Sequence, residues 1–317
     1  VSRPSGVTLV ANQDGTQVTI SPTADITARG TVAGTAKGVP HTYTMNRGEI
    51  LHFMQTGDLT GSPIQSNNAI GVWGQHYCMS IPTNVGACDP GHQEIPPVKA
   101  LGNEYVAVRY RQRGTVDESV PWRFVGAVDG TTLTYDPPQT GAPATLNSGQ
   151  LVVWNGTGPF AVKSQDTQHP FYMAAHMTGG GDTGANGEGD PETVNIVPPQ
   201  QYLADYIFFT DPTYSETNVV FVRKKNAQNA FDDVTLDCAG TITGWTNIGS
   251  GAYQYTRVDL QKGHAKVGSC DNGRHEAKST TPFGETVWGW DSYVSYAYPA
   301  GASVKPINSV VVVPTPK

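Results

Sequence analysis

The sequence predicts an all-β protein built of three degenerate, β-sandwich-like repeats of about 100 residues each. Three observations carry that expectation. Short runs of Val, Thr, Ile and aromatic residues are broken by 36 Gly and 23 Pro, the texture of strands and turns. No stretch sustains a 3.6-residue apolar period. One pattern of strand, turn and strand passes three times along the 317 residues.

The first pass runs Gly6-Val7-Thr8-Leu9-Val10-Ala11, then Asp14-Gly15-Thr16, then Val18-Thr19-Ile20. The second runs Trp122-Arg123-Phe124-Val125-Gly126-Ala127, then Asp129-Gly130-Thr131, then Leu133-Thr134-Tyr135. The third has Val219-Val220-Phe221-Val222, Asp232-Asp233 and Val234-Thr235-Leu236. Asp-Gly between alternating runs predicts a hairpin, because the turn needs a positive φ that glycine adopts freely. Each pass goes on to a turn glycine (Gly48, Gly149, Gly263) ahead of another strand. A serine (Ser66, Ser164, Ser279) then opens strands at 70–74, 171–175 and 286–290.

Junctions at Ile95-Pro96-Pro97, Val197-Pro198-Pro199 and Val304-Lys305-Pro306 read as extended linkers. They set unit boundaries at 1–100, 101–202 and 203–317, the last unit carrying a C-terminal strand at Val310-Val311-Val312-Val313. Packing in a row and packing about a pseudo-threefold axis both remain open. A propeller is disfavoured, because about 100 residues is long for one four-stranded blade.

Twenty basic residues against 27 acidic ones leave a formal charge of −7, which argues against a nucleic-acid partner. The densest basic cluster, Arg109, Arg111 and Arg113, alternates as one solvated face of a strand would. Arg223-Lys224-Lys225 is a second cluster. No apolar run approaches the roughly 20 residues of a membrane helix, so no membrane insertion is expected. The start, Val1-Ser2-Arg3-Pro4, carries no leader pattern; either a leader has been removed or the chain is part of a longer one.

Cys78, Cys88, Cys238 and Cys270 allow three pairings, of which the local ones, Cys78 with Cys88 and Cys238 with Cys270, are favoured. Without a CxxC pair, neither a zinc knuckle nor a thioredoxin-type site is supported. Two structural disulfides imply an oxidising, extracellular or cell-surface home. The sequon Asn155-Gly156-Thr157 is compatible with it.

Catalytic motifs are missing: there is no nucleophile elbow, no metalloprotease helix, no phosphate loop and no dinucleotide fingerprint. Asp182-Thr183-Gly184 spells the aspartic-protease triplet, yet it stands alone among glycines, whereas that chemistry needs two carboxylates sharing a proton. The same acidic loop offers Asp182, Asn186, Glu188 and Asp190, oxygen donors of the kind calcium accepts, with a solvated loop as the alternative. No other cofactor is expected. His76 and His176 occupy matching places, with His92 and His169 nearby in sequence, but no His pair at ligand spacing seeds a zinc site. Trp288, Trp290, Tyr293 and Tyr296 crowd the end of the third unit. Exposed, they would bind a sugar or a protein; the alternating 288/290 pair also fits packing.

These residues also carry a resemblance. The run Gly61-Ser62-Pro63-Ile64, Gly71-Val72-Trp73-Gly74-Gln75-His76-Tyr77-Cys78, Cys88-Asp89 and Glu94-Ile95-Pro96-Pro97 resembles the N-terminal domain of the IgG Fc-binding protein family. So do Gly189-Asp190-Pro191-Glu192, Val197-Pro198-Pro199-Gln200-Gln201 and Pro282-Phe283-Gly284 with Ser292-Tyr293-Val294-Ser295-Tyr296-Ala297-Tyr298-Pro299. The resemblance implies a secreted, disulfide-containing, non-enzymatic interaction module, and supports pairing Cys78 with Cys88. It carries over no immunoglobulin-contact residue. The expected function is therefore an extracellular or surface binding and adhesion module for a protein or glycan. The alternative is a structural subunit that assembles with itself through sheet edges. A polysaccharide-active enzyme ranks below both, because no carboxylate pair is marked.

Overall fold

A computed structural model of the chain describes residues 4–83, 88–182 and 184–316. The protein is all-β, 49% strand and 2% helical, the helix being two 3-10 turns, Val98–Ala100 and Pro199–Gln201. Four small sheets in a propeller-like arrangement accompany a nine-stranded sheet bent into a half-barrel. The length that argued against blades goes into a second sheet in each of the first two stretches of chain.

In the first stretch, Ile50–Gln55, Ser5–Ala11, Ile70–Met79 and Asp89–Glu94 form one antiparallel sheet. His41–Met45, Thr16–Ile20 and Ile64–Ser66 form a smaller one. Leu9 and Ala11 from the first meet Val18 and Ile20 from the second in one buried cluster, as alternating strands require when each turns one face inward. The second stretch repeats the order: Leu151–Gly156, Val120–Gly126, Phe171–Met177 and Glu192–Asn195, beside Thr145–Leu146, Thr131–Asp136, Phe160–Ser164 and Glu104–Ala107. In the third, the 18-residue strand Arg274–Asp291 runs through both parts of the single nine-stranded sheet. Its first half pairs Leu203–Phe209 and Val234–Leu236, its second half Glu216–Lys224 and Val294–Pro299.

Local chemistry explains the turns. Gly15 and Gly130 take φ of 66° and 68°, the left-handed values the Asp-Gly hairpins demand. The aspartates have a second task. Asp14 Oδ1 accepts the Arg47 N–H and Asp129 Oδ1 the Ser148 N–H, each at 2.9 Å, so each hairpin pins the neighbouring Gly48 or Gly149 turn. Tyr105 and Tyr206 form another matched pair. Each hydroxyl accepts an N–H three residues upstream and donates at 2.6 Å to a carbonyl, of Phe171 or Phe283.

Two expectations are corrected. Residues 108–113 are not strand, and Arg109 and Arg113 are buried and paired instead of solvated. Their acidic partners, Asp117 and Glu118, lie only a few residues on, so the basic run folds back on local charge. The second correction concerns residues 310–313, which belong to no sheet. The C-terminal segment is bound to turns instead. Ile307 N–H donates to Lys99 O, and Asn308 Nδ2 to Val98 O and Leu101 O. Further on, Ser21 Oγ donates to Thr315 O. Val310 and Pro314 still face inward while Val311 and Val313 face out. Buried Gln201 ties the junctions together, giving Nε2–H bonds to Ala100 O and Lys305 O and accepting from Ser303 Oγ.

Candidate binding surface at a loop–hairpin junction

Two segments singled out in the sequence meet in space. The glycine-rich acidic loop that follows Phe171–Met177 docks on the tip of the hairpin joining Arg274–Asp291 to Val294–Pro299. Gly189 N–H donates to Asp291 O at 2.8 Å, Tyr293 N–H to Gly187 O at 3.1 Å, and Glu188 bridges to Ser292. Ser295 Oγ donates to Asp190 O at 2.7 Å.

The loop rests on a buried ion pair. Arg113 and Glu118 side chains are fully shielded and joined at 2.6 Å. Arg113 also donates to Glu188 O (2.6 Å) and Thr178 Oγ1 (2.7 Å), while Tyr110 Oη–H donates to Glu118 Oε2 (2.6 Å). Burial alone would push the Glu118 carboxyl up, but the hydrogen bond and charge of Arg113 outweigh it and hold Glu118 below the usual range. Burial pushes the Tyr110 hydroxyl up, keeping it a donor. The fit leaves no room for a side chain at Gly189 (φ 70°), where a Cβ would lie 2.5 Å from Arg113 Nη1 and 2.8 Å from Met177 Sδ.

The four aromatic candidates separate into two groups. Trp288 and Trp290 are 0% and 1% exposed, so neither can meet a ligand. They pack on the Tyr110 ring at 4.9 and 6.1 Å, with the Arg111 guanidinium 4.7 Å above Trp290. Tyr296 is half-buried, its ring edge-on to Tyr214 at 4.8 Å and its hydroxyl accepting the Asp211 N–H. Tyr293 alone of the four is broadly open, at 54%, beside exposed Val294 at 43%. Its φ of 54° is unusual for an aromatic residue and turns the ring over the loop, close to Gly180 and Gly187.

The calcium set does not converge. Asp182 and Glu188 are half-buried, Asn186 is exposed at φ 55°, and Asp190 is buried toward Asp89. Burial and the Asp89 charge push Asp190 up to about 6. Among the described residues, three or more Asp, Glu, His or Cys ligand atoms gather within 4.8 Å only at Asp237, Cys238 and His275. Thr183 of the protease-like triplet lies outside the described residues.

The family model described as IgGFc binding protein matches residues 1–289, nine-tenths of the chain. The chain belongs to the IgGFc binding protein family. No curated protein and no solved structure matches it. The family match takes in the acidic loop and ends just short of the hairpin tip, so Tyr293 lies beyond it. Within the IgGFc-binding region both local disulfides form, Cys78–Cys88 and Cys238–Cys270. His176 is buried beside Arg123, and burial followed by that charge takes it down to about 3, a neutral core histidine. His76 accepts the Cys78 N–H through Nδ1. Among the described residues, no helix is long and apolar enough to cross a membrane.

Among the supports of this surface, sequence reasoning missed Tyr110, Glu118 and Thr178 and read Arg113 as solvated. The available signal was Gly179-Gly180-Gly181 followed by Gly184, Gly187 and Gly189: glycine at that density marks close approach of another backbone.

Proposed function

We propose that this chain is a non-enzymatic, extracellular or cell-surface module that binds a protein or glycan through the loop–hairpin junction. The observation that carries the reading is Tyr293, exposed at the tip of a hairpin whose base is fixed by Trp288, Trp290 and the Arg113–Glu118 pair. An aromatic ring held open on a rigid support supplies contact area at low entropic cost, which suits recognition. Membership of a family described as IgGFc binding protein supports a protein partner, and the two disulfides support an oxidising compartment. The recurring strand orders and the Gln201 hub support three copies of one unit about a pseudo-threefold axis.

Immobilised Fc fragment, purified mucin and a glycan array would be probed with wild type and Tyr293→Asn, a residue that tolerates the same φ. The reading expects at least tenfold weaker binding by the variant at unchanged melting temperature. Equal binding by both proteins would remove the junction from recognition.

One observation favours the self-assembling alternative. The C-terminal segment touches the first stretch of chain without joining a sheet, so it could be exchanged with a second copy. Deleting residues 305–317 should then abolish any concentration-dependent assembly seen in sedimentation; assembly that survives the deletion discards this alternative.

A further inference from the structure

We propose that, once the Cys238–Cys270 disulfide is opened, Asp237, Cys238, Cys270 and His275 form a tetrahedral zinc site. The ligand atoms of Asp237, Cys238 and His275 already lie within 4.8 Å of one another, and Cys270 Sγ is bonded to Cys238 Sγ. Two thiolates, one imidazole and one carboxylate are a donor set zinc accepts, with ligand atoms roughly 3.3–3.8 Å apart around the ion.

The histidine is oriented as a ligand would be. His275 Nε2 faces Asp271 O at 2.7 Å, the outer contact that fixes the tautomer of a ligating histidine, and Nδ1 faces Asp237 Oδ1 at 3.0 Å, so both prospective ligand atoms point to one place. The carboxylate is held from behind: Cys238 N–H donates to Asp237 Oδ1 and Glu276 N–H to Oδ2. His275 and Cys270 are buried, while Asp237 is exposed and Cys238 half-buried, which leaves an entry path.

The chemistry balances with a low-molecular-weight thiol as reductant. Two thiol molecules supply two electrons and two protons; the Cys238–Cys270 bond breaks, two cysteine thiols form and the reductant leaves as its disulfide. Zinc then displaces both thiol protons to solvent. The ion would join the same two segments that the disulfide joins, 237–238 and 270–275, so the last third of the chain keeps a crosslink in either state.

The test uses the whole chain, oxidised or reduced under argon, titrated with zinc against a chromophoric chelator, and with cobalt(II) for spectroscopy. The proposal expects one zinc per reduced chain and none per oxidised chain. Cobalt should show the visible bands of a tetrahedral ion and a thiolate charge-transfer band. Cys78→Ser/Cys88→Ser should retain the stoichiometry, Cys238→Ser/Cys270→Ser should lose it, and His275→Ala and Asp237→Ala should each weaken binding roughly tenfold or more. Zinc should also raise the melting temperature of the reduced chain. No uptake by reduced wild type, or uptake that survives Cys238→Ser/Cys270→Ser, overturns the proposal.

Discussion

The hairpin at the end of the nine-stranded sheet has an inner and an outer half, and the two differ in everything but their aromatic content. At the base, Trp288 and Trp290 are enclosed by Tyr110 and Arg111. Three residues further on, Tyr293 stands open to solvent with a left-handed backbone. A cluster of rings in a sequence is thus two objects, a foundation and a display. What separates them is the acidic loop, whose backbone covers the base and stops at the turn.

The largest effects should come from disturbing the foundation. Arg113→Met leaves Glu118 buried without a counter-charge and should cost about 3–5 kcal/mol in urea unfolding, much of it regained in Arg113→Met/Glu118→Met. Trp290→Ala opens a cavity under the loop and should cost about 3–5 kcal/mol by the same measurement. If either proves near-neutral, the base does not support the tip.

A smaller, pH-dependent effect comes from His176 in the strand leading into the loop. Its folded form stays neutral down to about 3 while the unfolded chain protonates near 6.5. The unfolded state therefore binds more protons across that window, and stability falls as pH is lowered through it. Asp190 and Glu192, raised to about 6 and 7 chiefly by burial, act in the opposite direction: they hold protons in the folded state, and their contribution is lost as pH rises through those values. His176→Phe removes only the first effect. Its melting temperature should fall less between pH 7 and pH 4 than that of wild type; an equal fall would show that His176 is not buried neutral.

The smallest effect belongs to the display. Tyr293→Asn removes an exposed ring from a strained position and should change stability by no more than about 0.5 kcal/mol. A larger loss in thermal unfolding would make the tip part of the core and end the distinction.

Much of the fold was legible because turn chemistry is local. Asp14-Gly15 and Asp129-Gly130 need only their own dihedrals to be read as hairpins, and the short-range disulfides follow the same logic. The C-terminal valines misled because β-branched residues show a preference for extended backbone, not whether an edge is there to pair with; residues 310–313 join no sheet, and the segment is held just before them by Asn308, which bonds to the turn at 98–101. The arginines misled for a related reason. Alternation places Arg109, Arg111 and Arg113 on one side of a segment without saying what covers it, and Glu216 and Asp259, which pair with Arg111, lie more than 100 residues away. The binding surface needed the same long-range information, since Gly187 and Tyr293 become neighbours only in the folded chain.

The most direct test of the central claim compares wild type, Trp290→Phe and Tyr293→Asn, matched for folding by near-ultraviolet circular dichroism, for binding to Fc fragment, mucin and glycans. The account predicts that at least one of these partners binds wild type and Trp290→Phe alike and loses Tyr293→Asn by tenfold or more. A partner that binds all three proteins equally, or a panel that none of them binds, would contradict it.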